Sequence, residues 1–207
     1  MSIDTAALQG AIARLKTAMD RDADLLNTAD GALGDGDLGI TMTRGMALVS
    51  DGAGDLPEDL GRALLACAQA FTKSSGSSYG TLLATGLMAA AKELKGETEI
   101  PAARVSALVA GARDAMRARG KAELGGKTVL DSLDAVARAT DGLETADEVR
   151  AAARSAVAAA LDTFRDRPAT VGRARIFAEK SVGMDDPGML AMARIVEAVT
   201  DQARKAL

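Results

Sequence analysis

The sequence predicts an all-α protein, a barrel or bundle of about eight antiparallel amphipathic helices. Three observations carry that expectation. Alanine and leucine dominate while tyrosine occurs once, phenylalanine three times and tryptophan never, and sheets draw on aromatic and β-branched residues. Apolar residues recur at steps of three and four, the period of a helix with one buried face. The breaks between these stretches are short and marked by glycine or proline, which makes consecutive helices antiparallel neighbours. With 207 residues, close to half of them apolar, one domain spanning residues 1–207 is the simplest organisation.

Leu8, Ile12, Leu15 and Met19 form the first apolar face and predict a helix of about five turns. Gly31, Gly34, Gly36 and Gly39 interrupt it, and Ile40, Met42, Met46 and Val49 make a second helix that ends at Asp51-Gly52-Ala53-Gly54. Asp55-Leu56-Pro57 opens a third, with Pro57 in the first turn and Leu60, Leu64, Cys67 and Phe71 inward. After Ser74-Ser75-Gly76-Ser77-Ser78 a fourth carries Leu82, Leu83, Leu87 and Met88 and closes at Leu94-Lys95-Gly96. Pro101 opens a fifth, with Val105, Leu108 and Met116, which stops at Gly120. A sixth follows Gly125-Gly126 with Val129, Leu130, Leu133 and Val136, and a seventh spans roughly Ala146 to Phe164. Periodicity is lost from Arg165 to Pro187, after which Leu190, Ile195, Val196 and Val199 form a final helix up to a basic end at Arg204 and Lys205. In an up-and-down arrangement the turns after helices one, three, five and seven meet at one end, and those are the unusual loops.

Composition excludes several function classes. A net charge of -4 and a pI near 5.0 argue against a nucleic-acid partner, which requires a basic face. The single cysteine, Cys67, sits in an apolar helical context and cannot pair within the chain. Charged residues in the first helix leave no room for a signal peptide, and the charge-free stretch from Ser74 to Ala91 is mostly serine and glycine in its first half, so its apolar part is too short for a bilayer. A cytoplasmic location with no membrane partner is the expectation. The chain has no histidine, which removes Ser-His triads, histidine zinc sites and a phosphohistidine role. Any chemistry here uses oxygen ligands and backbone amides.

The sharpest feature is Asp30-Gly31-Ala32-Leu33-Gly34-Asp35-Gly36-Asp37-Leu38-Gly39, in which three carboxylates fall among four glycines. Mg²⁺ takes carboxylate and phosphate oxygens together, glycines let amides approach a phosphate, and the helix starting near Gly39 adds its positive end. Taken alone, the segment also reads as a surface turn with capping aspartates, because Asp and Gly are ordinary turn residues. It does not follow the ligand spacing of an EF-hand. Ser74 to Gly80 clusters hydroxyls at a helix start, either a second anion site or a plain cap. Gly125-Gly126-Lys127-Thr128 is like the end of a P-loop, yet Lys121 stands where that motif needs glycine and no strand precedes it. Gly172-Arg173-Ala174-Arg175 and Asp185-Asp186-Pro187-Gly188 supply a cation and a rigid turn, or simply a solvated loop; Tyr79 and Met184 read as packing residues.

Taken in order, Gly34-Asp35-Gly36-Asp37, Ser75-Gly76 with Tyr79-Gly80, Arg119-Gly120-Lys121-Ala122, Gly126-Lys127-Thr128 with Asp131, Gly172-Arg173-Ala174 and Asp186-Pro187-Gly188 resemble the L subunit of dihydroxyacetone kinase over almost the whole chain. The resemblance implies a barrel of eight antiparallel helices with ADP or ATP at one end, held through two Mg²⁺ ions. It implies that Asp30, Asp35 and Asp37 are the metal ligands. It further implies that Leu38, Gly39, Ile40 and Thr41 line the phosphates with Ser74 and Ser75. Gly120, Val129, Arg173, Asp186, Pro187 and Gly188 complete the nucleotide pocket. In that family the ketone is held by a separate K-type subunit, and the phosphoryl donor is ATP or a phosphotransferase-system protein that recharges a bound nucleotide. Leu38 stands where relatives commonly carry histidine or threonine, and Thr72-Lys73 stands where a glycine pair is usual. The expected function is therefore the nucleotide-binding subunit of a kinase for dihydroxyacetone or a close ketose, with catalysis resting on positioning and charge neutralisation. The competing expectation is a regulatory module that binds nucleotide without transfer.

Overall fold

A computed structural model describes residues 2–74 and 77–201, without the side chain of Ser74. Among these, eight α-helices follow in order: α1 Thr5–Leu33, α2 Leu38–Asp51, α3 Leu60–Ser74, α4 Ser78–Glu93, α5 Val105–Gly120, α6 Val129–Thr140, α7 Ala146–Arg165 and α8 Pro187–Thr200. Each packs against its neighbour in sequence, and α8 closes on α1, so the helices form a ring. The all-α expectation and the up-and-down order hold.

The helix ends follow local chemistry. Asp4 caps α1 by accepting the Ala7 amide at 2.8 Å, and Asp186 caps α8 by accepting the Met189 amide at 2.8 Å with Pro187 in the first turn. Thr128 with Asp131, and Thr145 with Glu148, form capping boxes at α6 and α7. The interior is lined by Met19, Leu26, Met42, Phe71 and Leu190 in one cluster and by Met116, Leu130, Val157 and Met192 in another. Small residues face inward where helices come closest. A Cβ at Gly39 would overlap the Ala23 carbonyl oxygen of α1, so the start of α2 is pressed against α1 by a residue that has no side chain.

Four elements depart from the sequence-based expectation. Helix α1 has 29 residues, about eight turns rather than five, because it runs through Gly31 to Leu33. One internal glycine costs about 1 kcal/mol, which burial of Leu26 and Leu33 offsets. Asp30 is therefore a helical residue. Helix α3 starts at Leu60, not at Pro57, because Asp59 accepts the Arg62 amide at 2.9 Å while Thr5 donates to the Pro57 and Glu58 carbonyls. Pro101 belongs to a short strand instead of opening α5: β1 Ser2–Asp4 pairs antiparallel with β2 Glu99–Pro101, Ile3 opposite Ile100. Ile100 is buried with Leu60 and Leu94, far along α1 from its acidic end. The region without periodicity holds a 3₁₀ helix, Arg173–Ser181. Arg204 and Lys205 lie outside the described residues.

Candidate nucleotide and metal site

The connections after α1, α3, α5 and α7 converge on a cavity of about 590 Å³ at one end of the ring. Its rim on the α1 side carries Asp30, Asp35, Asp37 and Leu38; the opposite rim carries Gly172, Arg173, Asp186, Pro187 and Gly188; Gly120, Val129 and Leu130 form the wall from α5 and α6. Ten of the residues singled out in the sequence thus face one space. Gly39, Ile40 and Thr41 lie just behind it. The Gly39 and Ile40 amides donate to the Asn27 side-chain oxygen at 2.8 and 3.2 Å, and the Thr41 amide donates to the Asp37 carbonyl. Ser75 and Gly76 lie outside the described residues, as does the side chain of Ser74.

One ligand oxygen from each of Asp30, Asp35 and Asp37 falls within 4.8 Å of the others. The last turn of α1 supplies Asp30, and the turn to α2 folds back so that the Asp37 amide donates to Asp30 at 3.0 Å. Gly36 sits at a φ of 78°, a left-handed conformation that glycine adopts without strain, and this lets Asp35 and Asp37 face Asp30. Burial raises the pKa of Asp30 above its ordinary value, against the Asp37 amide, and the neighbouring Asp35 charge raises it further. Asp35 moves the other way, because Arg173 pairs with it across the cavity mouth. The set is entirely oxygen, close and partly neutralised by a single guanidinium. It fits a hard divalent cation such as Mg²⁺, which takes carboxylate oxygens beside water and phosphate.

Across the cavity, burial pushes Asp186 up to about 7, opposed by the Met189 and Gly188 amides and by Lys127. Tyr79 donates to the Gly188 carbonyl at 3.1 Å, and burial raises its phenol pKa. Tyr79 packs against both core clusters, as expected, and in addition ties the start of α4 to the start of α8. Sequence reasoning also passed over Asn27, which holds the first amides of α2, although its place one turn before Asp30 on α1 was a usable signal. Apolar side chains of Leu82, Met116, Val129 and Val171 also line the cavity.

A family model for the DAK2 domain matches residues 32–201. The chain belongs to the DAK2 domain family. This DAK2 domain is 30% identical over 182 residues to the ADP-binding subunit DhaL of PEP-dependent dihydroxyacetone kinase 1 from Listeria innocua, covering 87% of the chain and 88% of that relative. It is 34% identical to L-erythrulose kinase from Pectobacterium atrosepticum over 84% of the chain. It is 33% identical to triokinase/FMN cyclase from Homo sapiens over 85% of the chain. It spans only 31% of the length of either of those two proteins. Among solved structures, dihydroxyacetone kinase from C. freundii in complex with AMP-PNP and Mg²⁺ shares the fold, with a TM-score of 0.75 at 22% identity over 94% of this chain and 33% of the other. No helix among the described residues is long and apolar enough to cross a membrane.

Proposed function

We propose that this DAK2 domain is the nucleotide-binding part of a kinase that phosphorylates dihydroxyacetone or a related small ketose. The observation that carries the reading is the acidic triad Asp30, Asp35 and Asp37 at the mouth of a cavity with an apolar floor and Arg173 opposite. The names of relatives support it: each is a kinase or a kinase subunit, and one is an ADP-binding subunit of nearly the same length.

In this reading Asp30, Asp35 and Asp37 would hold two Mg²⁺ ions, which would supply charge neutralisation for the nucleotide phosphates. Leu82, Met116 and Val129 offer the apolar surface for an adenine base, while Asp186, Pro187 and Gly188 fix the edge of that pocket through the cap of α8. Arg173, which pairs with Asp35 here, would be available to a phosphate oxygen, since a guanidinium binds carboxylate and phosphate alike. Gly39, Ile40 and Thr41 act indirectly, by holding the start of α2 behind Asp37. The chain contributes position and electrostatics and no histidine, which is compatible with a ketose bound by a K-type partner subunit in the cytoplasm and a phosphoryl group from a phosphotransferase-system protein or ATP.

Calorimetric titration of ADP and ATP, with and without Mg²⁺, into wild type and Asp35→Asn tests the site. Mg²⁺-dependent binding in the wild type, weakened at least about tenfold in the variant, is expected. Absence of nucleotide binding by the wild type would sink the proposal. Turnover with a K-type subunit, dihydroxyacetone and either donor then tests the kinase role; binding without turnover with both donors would leave a regulatory nucleotide-binding module.

A further inference from the structure

Lys127 is fully buried, at 0% exposure, and its backbone has a φ of 62°. Both facts are costly for a lysine: an ammonium loses its water, and a side-chain-bearing residue takes a left-handed conformation. Glycine would remove the second cost, and two glycines stand immediately before it. The ammonium has three N–H bonds, and all three are used. They donate to the carbonyls of Arg165 at 2.9 Å, Arg167 at 2.9 Å and Ser181 at 2.7 Å. These carbonyls lie at the two ends of the segment between α7 and α8.

That segment forms one wall of the cavity. It carries Val171, Gly172, Arg173 and Ala174, and it ends at Asp186. Further ties gather around the same point: the Thr170 amide donates to the Gly126 carbonyl, the Gly183 amide to the Arg165 carbonyl, the Ala169 amide to the Ser181 hydroxyl at 2.8 Å, and the Arg165 guanidinium to Asp185 at 2.8 Å. Leu33, at the end of α1, rests on Ala169 and Ala174. Without a cation at the centre, three carbonyl dipoles would point at one another in a buried space, and the segment would lose the group that closes it.

We infer that Lys127 is a positioning residue, an internal cation that closes the 165–183 segment and so presets Arg173 opposite the acidic triad. The inference rests on the nucleotide-site reading for its functional consequence, but the closure itself is measurable without nucleotide. Lys127→Ala removes the three methylenes and the ammonium, which together are the shape of propylammonium. In that variant, hydrogen exchange at the amides of Ala169, Thr170, Gly183 and Met184 rises at least about tenfold while α1 to α3 keep wild-type protection. Added propylammonium restores protection and propanol does not. Lys127→Met, which keeps the stem and deletes the charge, shows the same localised exchange. Mg²⁺-dependent ADP affinity falls by about tenfold in both variants and recovers with propylammonium in Lys127→Ala alone.

Wild-type exchange at those four amides in Lys127→Met overturns the inference. So does equal loss of protection across all the helices, or equal rescue by propanol. If the wild type binds no nucleotide, the exchange pattern still decides the closure while the nucleotide-site reading falls separately.

Discussion

The acidic turn between α1 and α2 and the long segment between α7 and α8 both crowd oxygen atoms together, and they balance them in opposite ways. In the first, three carboxylates from within eight residues meet near the surface, offset among the described residues by Arg173. In the second, three backbone carbonyls separated by up to sixteen residues meet in the interior around the Lys127 ammonium. In the proposed reading the first receives a cation from outside, whereas the second carries its own. Exchangeable charge has to stay accessible to water and ligand, whereas a charge that only holds the backbone is worth most where water is excluded. Arg173 joins the two regions, being carried by the second and paired with the first.

The largest expected effect comes from disturbing the base of the acidic turn. Gly39→Ala places a methyl group against the Ala23 carbonyl and close to the Asn27 side chain, so α2 must move off α1 and carry Asp37 with it. A loss of about 3 kcal/mol in urea unfolding is expected, together with loss of Mg²⁺-dependent nucleotide binding. A stable variant that still binds would show that the turn does not depend on this close approach.

Next comes the buried carboxyl at the end of the second region. Burial raises the folded-state pKa of Asp186 to about 7 from an ordinary value of 3.8. The folded state therefore holds a proton that the unfolded chain has already released, and stability from this group is full below about pH 4 and declines as pH rises to about 7. Asp186→Asn keeps an acceptor for the Met189 amide and cannot ionise. Urea unfolding measured from pH 4 to pH 7.5 should show that decline in the wild type and a flatter profile in the variant. Identical profiles would mean that Asp186 stays ionised in the fold.

The smallest effect on stability belongs to the link between the regions. Arg173→Gln removes a half-exposed ion pair, worth less than about 1 kcal/mol. In the nucleotide-free protein it should tighten Mg²⁺ binding, read by calorimetry, because the guanidinium no longer occupies Asp35. Weaker Mg²⁺ binding would instead make Arg173 an organiser of the triad.

The acidic turn was legible in the sequence because its carboxylates and glycines are neighbours in the chain, and the resemblance to a known family rested on such local motifs. Lys127 was not. It stood in a motif weighed as a phosphate loop and set aside, and nothing in Gly126-Lys127-Thr128 points to carbonyls 38 to 54 residues away. The backbone contacts of Asn27 and Tyr79 were not legible for the same reason, since each acts on a backbone group from another helix. The extent of α1 was misread because a glycine pattern suggests a break, while buried Leu26 and Leu33 carry the helix through it.

What the sequence determined by itself was the helical class, the order of the helices and which loops meet at one end of the ring, because these depend on periodicity and on short-range propensity. Tertiary structure decided which loop residues share the cavity, which amides are already engaged behind it and where a buried cation closes the wall. Those outcomes depend on groups brought together only when the ring closes, where three hydrogen bonds in a dry interior can hold a lysine that its local sequence would leave in water.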